Sequence, residues 1–91
     1  MSVRWTSKAH LDLVRLHAFV AAVNPTAAVG VVEMVIAGVR RIATHPRIGS
    51  RLPEFASREV RRIVVGDYEL RYELRERELF ILRVWHVRED R

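Results

Sequence analysis

The side chains here able to do chemistry are four histidines, fifteen arginines with one lysine, and a row of alternating charges at Glu69, Arg71 and Glu73. His10, His17, His45 and His86 are scattered, and a seven-residue gap between His10 and His17 is poor spacing for metal ligands. No cysteine is present, which excludes disulfides, thiolate metal sites and cysteine nucleophiles. The four glycines stand apart and form no phosphate-binding loop. Asp12 and Glu33 are the acids of the N-terminal half, too sparse for a pair of catalytic carboxylates. Asp12 is expected to complement a helix dipole. No cofactor and no metal is implied. His86, as a histidine, suits a general acid or base, or a structural role at a strand end. Arg61, Arg62, Arg83 and Arg88 are forked donors suited to phosphate or carboxylate.

The elements that must hold these groups follow from the hydrophobic period. Val3–Trp5 alternates like a short strand. Ser7 is the expected N-cap of a helix reaching about Val23, with Leu11, Val14, Leu16, Ala18, Phe19 and Ala22 near helical spacing. Asn24-Pro25 is the cap and first residue of a second helix reaching about Thr44. Val32, Val35, Ile36, Val39 and Ile42 form its stripe. His45-Pro46 ends it, and 46–53 reads as loop. Strands are expected over Glu59–Val65, Tyr68–Leu74 and Leu79–Val87. The order β-α-α-β-β-β makes one α+β domain over residues 1–91, a helical hairpin on a small antiparallel sheet.

A turn at Gly66-Asp67 places Val64 opposite Glu69, Arg62 opposite Arg71 and Val60 opposite Glu73. Glu69, Arg71 and Glu73 then form a solvated charge ladder, with Arg62 diagonal to both acids. The third strand is apolar on both faces except at Arg83, so it should be central and covered on both sides. Little of the chain remains to cover the second side, which points to a second chain. The net charge of +5 suits nucleic acid or an acidic protein. The longest uncharged run, Leu16 to Val32, is broken by Asn24-Pro25, against a membrane span. Met1-Ser2-Val3-Arg4-Trp5 lacks the apolar core of a signal peptide, so a cytoplasmic location is expected.

Several phrases, in order, resemble the RelE/ParE superfamily of bacterial toxins. They are Ala9–Leu13, Ile42-Ala43-Thr44-His45-Pro46-Arg47-Ile48-Gly49, Arg58-Glu59-Val60-Arg61-Arg62, Gly66-Asp67-Tyr68-Glu69-Leu70-Arg71-Tyr72 and Ile81-Leu82-Arg83-Val84-Trp85-His86. The resemblance implies the toxin of a type II toxin–antitoxin pair, silenced by its antitoxin. RelE-like members cut mRNA in the ribosome; ParE-like members poison DNA gyrase. RelE-like nucleases commonly carry Arg where this chain has Glu69, and a carboxylate there would repel the scissile phosphate. They also often end in a Tyr, whereas this sequence reads Arg88-Glu89-Asp90-Arg91, and their Lys-rich segment is replaced by Glu54-Phe55-Ala56-Ser57. The expectation is therefore a ParE-like, non-enzymatic toxin, with DNA gyrase as target. Trp5, Leu16, Phe19 and Val20 would meet the antitoxin or core, and Arg83, His86 and Arg88 the target. The alternative is a ribosome-dependent mRNA endonuclease using His86 as acid or base, with Arg61, Arg83 or Arg88 replacing the missing arginine. A basic binding module without toxicity is the third possibility.

Overall fold

The computed structural model describes residues 1–89; Asp90 and Arg91, part of the basic C-terminal end expected to face the target, lie outside the described residues. The chain opens with β1 (Ser2–Trp5), followed by α1 (Ser7–Ala21) and α2 (Pro25–Thr44). A two-residue strand β2 (Ser50–Arg51) and a 3-10 turn (Pro53–Phe55) precede β3 (Glu59–Val65), β4 (Tyr68–Arg75) and β5 (Glu78–His86). The strands form one sheet in the order β1-β5-β4-β3-β2. β3, β4 and β5 are antiparallel, β2 is antiparallel to β3, and β1 runs parallel to β5. The sheet is thus mixed, because the chain returns to β1 only after crossing the helical hairpin. β5 is an interior strand as expected, although β4 is the middle one.

Local chemistry sets the boundaries. The N-cap of α1 is Thr6, not Ser7: Thr6 keeps an extended backbone, and its Oγ1 accepts from the Ala9 amide at 3.1 Å. Its own amide still donates to Ile81 at 3.0 Å, so the strand pairing runs one residue beyond β1 and moves the helix start with it. Asn24 caps α2 through Oδ1 on the Ala27 amide at 3.1 Å, and Pro25 follows at the first helical position. Gly66 holds φ +59 in the β3–β4 turn, a conformation that favours glycine. The expected register holds, with Val64 opposite Glu69, Arg62 opposite Arg71 and Val60 opposite Glu73.

The helices pack on one face of the sheet. Ala9, Leu16, Val31, Val35, Val39 and Ile42 meet Tyr68, Leu70, Tyr72, Leu74, Leu79, Ile81 and Val84. Leu79 and Ile81 fall on odd positions but Val84 on an even one, so the strand must change parity between them. It does so at a bulge: Arg71 pairs with Arg83 while the next residue, Tyr72, pairs with Ile81, leaving Leu82 as the extra residue. Without that bulge, Arg83 would point into the core and Val84 away from it. This irregularity explains why the strand looked apolar on both faces.

The loop before β3 is fixed by Tyr72. Its hydroxyl donates to the Pro46 carbonyl at 2.8 Å and accepts from the Gly49 amide at 2.9 Å. A Cβ on Gly49 would lie 2.6 Å from the Arg62 carbonyl and from the Tyr72 oxygen, so no side chain fits there. This closure lets Ser50 and Arg51 pair with β3 instead of remaining loop. Among the described residues, no helix is long and apolar enough to cross a membrane.

Candidate functional site

The sheet face away from the helices carries Val60 and Arg62 from β3, the row Glu69, Arg71, Glu73 from β4, and Phe80, Arg83 and Trp85 from β5. The charge ladder expected to be solvated is not: Glu69 is 3% and Glu73 1% exposed. What covers them is the chain's own arginines. Arg58 forms a bidentate pair with Glu73 at 2.9 and 3.0 Å, and Arg75 lies 3.6 Å from the same carboxylate. Arg62 lies 3.5 Å and Arg71 3.7 Å from Glu69. The Arg58 hydrogen bonds, opposed by burial, hold the Glu73 carboxyl below the ordinary carboxylate range.

The arginine heads also stack on aromatic rings. Arg71 lies 4.8 Å from the centre of Trp85 and 5.7 Å from that of Phe55; Arg83 lies 4.8 Å from Trp85, and Arg75 4.1 Å from Phe80. Long arginine stems over apolar side chains, with Phe55 of the 3-10 turn, cover part of the face for which the sequence offered little covering material.

At one side of this face, β5 outlasts β1. Beyond Ile81 its free edge is closed by side chains: Thr6 Oγ1 donates to the Leu82 carbonyl, Asp12 accepts from the Val84 amide at 2.9 Å, and Glu89 accepts from the His86 amide at 2.8 Å. Asp12 also takes both donors of Arg83, at 2.8 and 3.0 Å. Asp12 is thus a buried tie between α1 and β5, 5% exposed, where a helix-dipole role in the first turn was expected; it lies beyond that turn. Burial works to raise its carboxyl, but the Arg83 hydrogen bond, the Val84 amide and the nearby cations outweigh it and hold it low. Arg15, 3.5 Å from Asp12, reaches Glu89 at 3.0 Å. Around this edge lies a groove lined by Lys8, Arg15, Phe55, Arg71, Arg83 and Trp85.

The side chains singled out from sequence fall in different places. Leu16 is buried in the core, and Trp5 and Val20 are half-buried against it. Phe19 is 79% exposed, near the hairpin turn with Val23. Arg83 and His86 lie on opposite faces of the sheet, because Trp85 between them occupies the open face. The His86 ring meets Tyr68 edge-on at 5.4 Å, and its Nδ1 accepts from the Arg88 amide at 3.1 Å. The Arg88 side chain is exposed. Arg61 is spent on Glu59 at 2.9 Å and the Gly49 carbonyl at 2.7 Å. Sequence reasoning missed the role of Phe55, noted there only within Glu54-Phe55-Ala56-Ser57, and that of Asp12, whose partner is 71 residues away. No local spacing signals either one. Among the described residues no cluster of His, Asp and Glu could hold a metal ion.

Residues 3–91 match the family described as ParE toxin of type II toxin-antitoxin system, parDE. No curated protein matches the sequence. Among solved structures, the fold is similar to a chain from the "Chromosomal ParDE TA system from P. aeruginosa", with a TM-score of 0.78 and 22% identity, covering 94% of this chain and 95% of that one. That likeness speaks for the shared architecture, two helices on an open five-stranded sheet. The family match spans nearly the whole sequence, and on it the chain belongs to the ParE toxins of type II toxin–antitoxin systems.

Proposed function

We propose that the protein inhibits DNA gyrase in the cytoplasm by binding, without catalysing a reaction, and that a cognate antitoxin neutralises it. The observation that carries this reading is Glu69. It stands where an RNA-cleaving relative would keep an arginine, is almost wholly buried, and has Arg62 and Arg71 turned toward it. A carboxylate at that depth opposes a phosphate approaching the same spot. Of Arg61, Arg83 and Arg88, the cations that a nuclease could use instead, Arg83 and Arg61 are already engaged by Asp12 and Glu59. His86 lies on the other face of the sheet from Arg83, so the two do not converge on one scissile group.

For the antitoxin, Phe19 is the natural anchor: a large exposed aromatic beside half-buried Val20, with the outer α1 residues Leu11 and Val14 also exposed. Leu16 lies in the core, with Trp5 packed against it. Arg83, Arg88 and the His86 strand end are assigned to the target. Inducing the protein alone tests the reading. Arrested growth with intact mRNA, altered plasmid supercoiling and a DNA-damage response are expected. Site-specific cuts in ribosome-bound mRNA would establish the endonuclease instead, and harmless expression an inert binding module.

A further inference from the structure

Three arginines around the open face are committed to short ion pairs, while Arg62 and Arg75 make longer ones at 3.5 and 3.6 Å. Arg58 holds Glu73, Arg83 holds Asp12, and Arg15 holds Glu89, each at 3.0 Å or less. Arg71 differs. Its carboxylate contact, to Glu69, is 3.7 Å, and its Nε is buried without a hydrogen-bond partner among the described residues. Its guanidinium is held by two rings, Trp85 and Phe55, and lines the groove. A cation fixed by stacking can present its donors to an incoming anion without breaking a short pair. Its partial desolvation strengthens any charge-assisted hydrogen bond it then makes.

We infer that the groove is a carboxylate-binding site centred on Arg71, and that its occupant is an acidic side chain of the antitoxin, with apolar neighbours resting on Phe55 and Leu82. The antitoxin as donor rests on the function proposed above; the preference for carboxylate does not. The groove already seats one carboxylate, Glu89 on Arg15, which shows the size and charge it accommodates. Glu89 lines it, and Glu69 and Asp12 pair with its arginines, so the positive charge left over is small and a phosphodiester strand, charged at every nucleotide, exceeds it. One or two carboxylates, paired with Arg71 and exposed Lys8, match it.

The test is a nuclear magnetic resonance titration that follows the Arg71 Nε–H and the Trp85 indole N–H. A tetraglutamate peptide should shift both saturably, and tetraglutamine should not. Arg71→Gln should abolish the response and Arg71→Lys reduce it, because one ammonium cannot replace the fork; Arg40→Gln, on exposed α2 surface, should leave it intact. In the full complex, Arg71→Gln should weaken antitoxin binding at least about tenfold, the loss of one charged hydrogen-bond pair. Unshifted resonances, or tighter binding of a short RNA than of the peptide, would overturn the carboxylate site. Peptide binding with unchanged antitoxin affinity in Arg71→Gln would overturn the assigned occupant. The titration uses folded protein with no gyrase present, so a failed gyrase assay and a failed site remain distinguishable.

Discussion

Removing the Asp12 carboxylate should strip the domain of a disproportionate share of its stability. Asp12→Ala deletes two hydrogen bonds from Arg83 and one from the Val84 amide. A charged hydrogen bond contributes about 1.5–3 kcal/mol, and an unsatisfied buried amide costs about 1–3 kcal/mol. The Arg83 contribution belongs at the low end, because its side chain is 34% exposed and regains water when the partner leaves. The sum is about 3 kcal/mol, a large part of the roughly 5–15 kcal/mol that holds a small domain. At about 4–8 °C per kcal/mol for a chain of this length, Tm should fall by more than about 10 °C. Asp12→Asn keeps an acceptor for Val84 and should lose about half as much. Denaturant unfolding of the parent, both variants, Arg83→Met and the double mutant measures each value and their coupling. An Asp12→Ala loss below about 1 kcal/mol, the ordinary surface range and a little above, would refute the idea that this residue ties α1 to β5.

Other outcomes follow from the same contacts. Asp12, Glu59 and Glu73 all have carboxyls held below their ordinary values of 3.8, 4.5 and 4.5. Their stabilisation is therefore complete above those unfolded-state values and is lost as pH falls through the lower folded ones. Urea midpoints measured from pH 6 downward should drop steeply below about pH 4, and Glu73→Gln should flatten the curve; a flat parent curve would contradict the assignment. Tyr72→Phe should cost about 1–3 kcal/mol by orphaning the Gly49 amide and the Pro46 carbonyl, and loosen residues 46–51 to amide exchange. Phe19→Ser should leave stability within about 0.5 kcal/mol while weakening antitoxin capture, measured by calorimetry. A large loss of stability would mean that Phe19 is structural.

The architecture was readable because each element carries its own punctuation. Asn24-Pro25, His45-Pro46 and Gly66-Asp67 are local signals, and the structure places boundaries at all three. The β3–β4 register followed from turn length alone. What escaped was everything set by long-range accommodation. The bulge at Leu82 has no signature in the apolar run around it, yet it decides which way Arg83 points. The alternation around Glu69 correctly gave two faces to β4, but alternation says nothing about what lies above the second face. Phe55 and Arg58, arriving from a loop, converted an expected wet ladder into a covered one. β2 was missed because two residues cannot carry a period, and its pairing depends on the Tyr72 hydroxyl fixing Gly49. Of the site, the sequence carried a signal only at Glu69, through side chain type more than pattern, and the proposed separation of protein binding from RNA cleavage rests on it.

That separation is tested most directly by adding purified protein to DNA gyrase and relaxed plasmid, with and without the antitoxin. Supercoiling should be inhibited in proportion to the protein added and restored by the antitoxin, while ribosome-bound mRNA incubated with the same preparation stays intact. Unimpaired supercoiling together with discrete mRNA cuts would contradict the account.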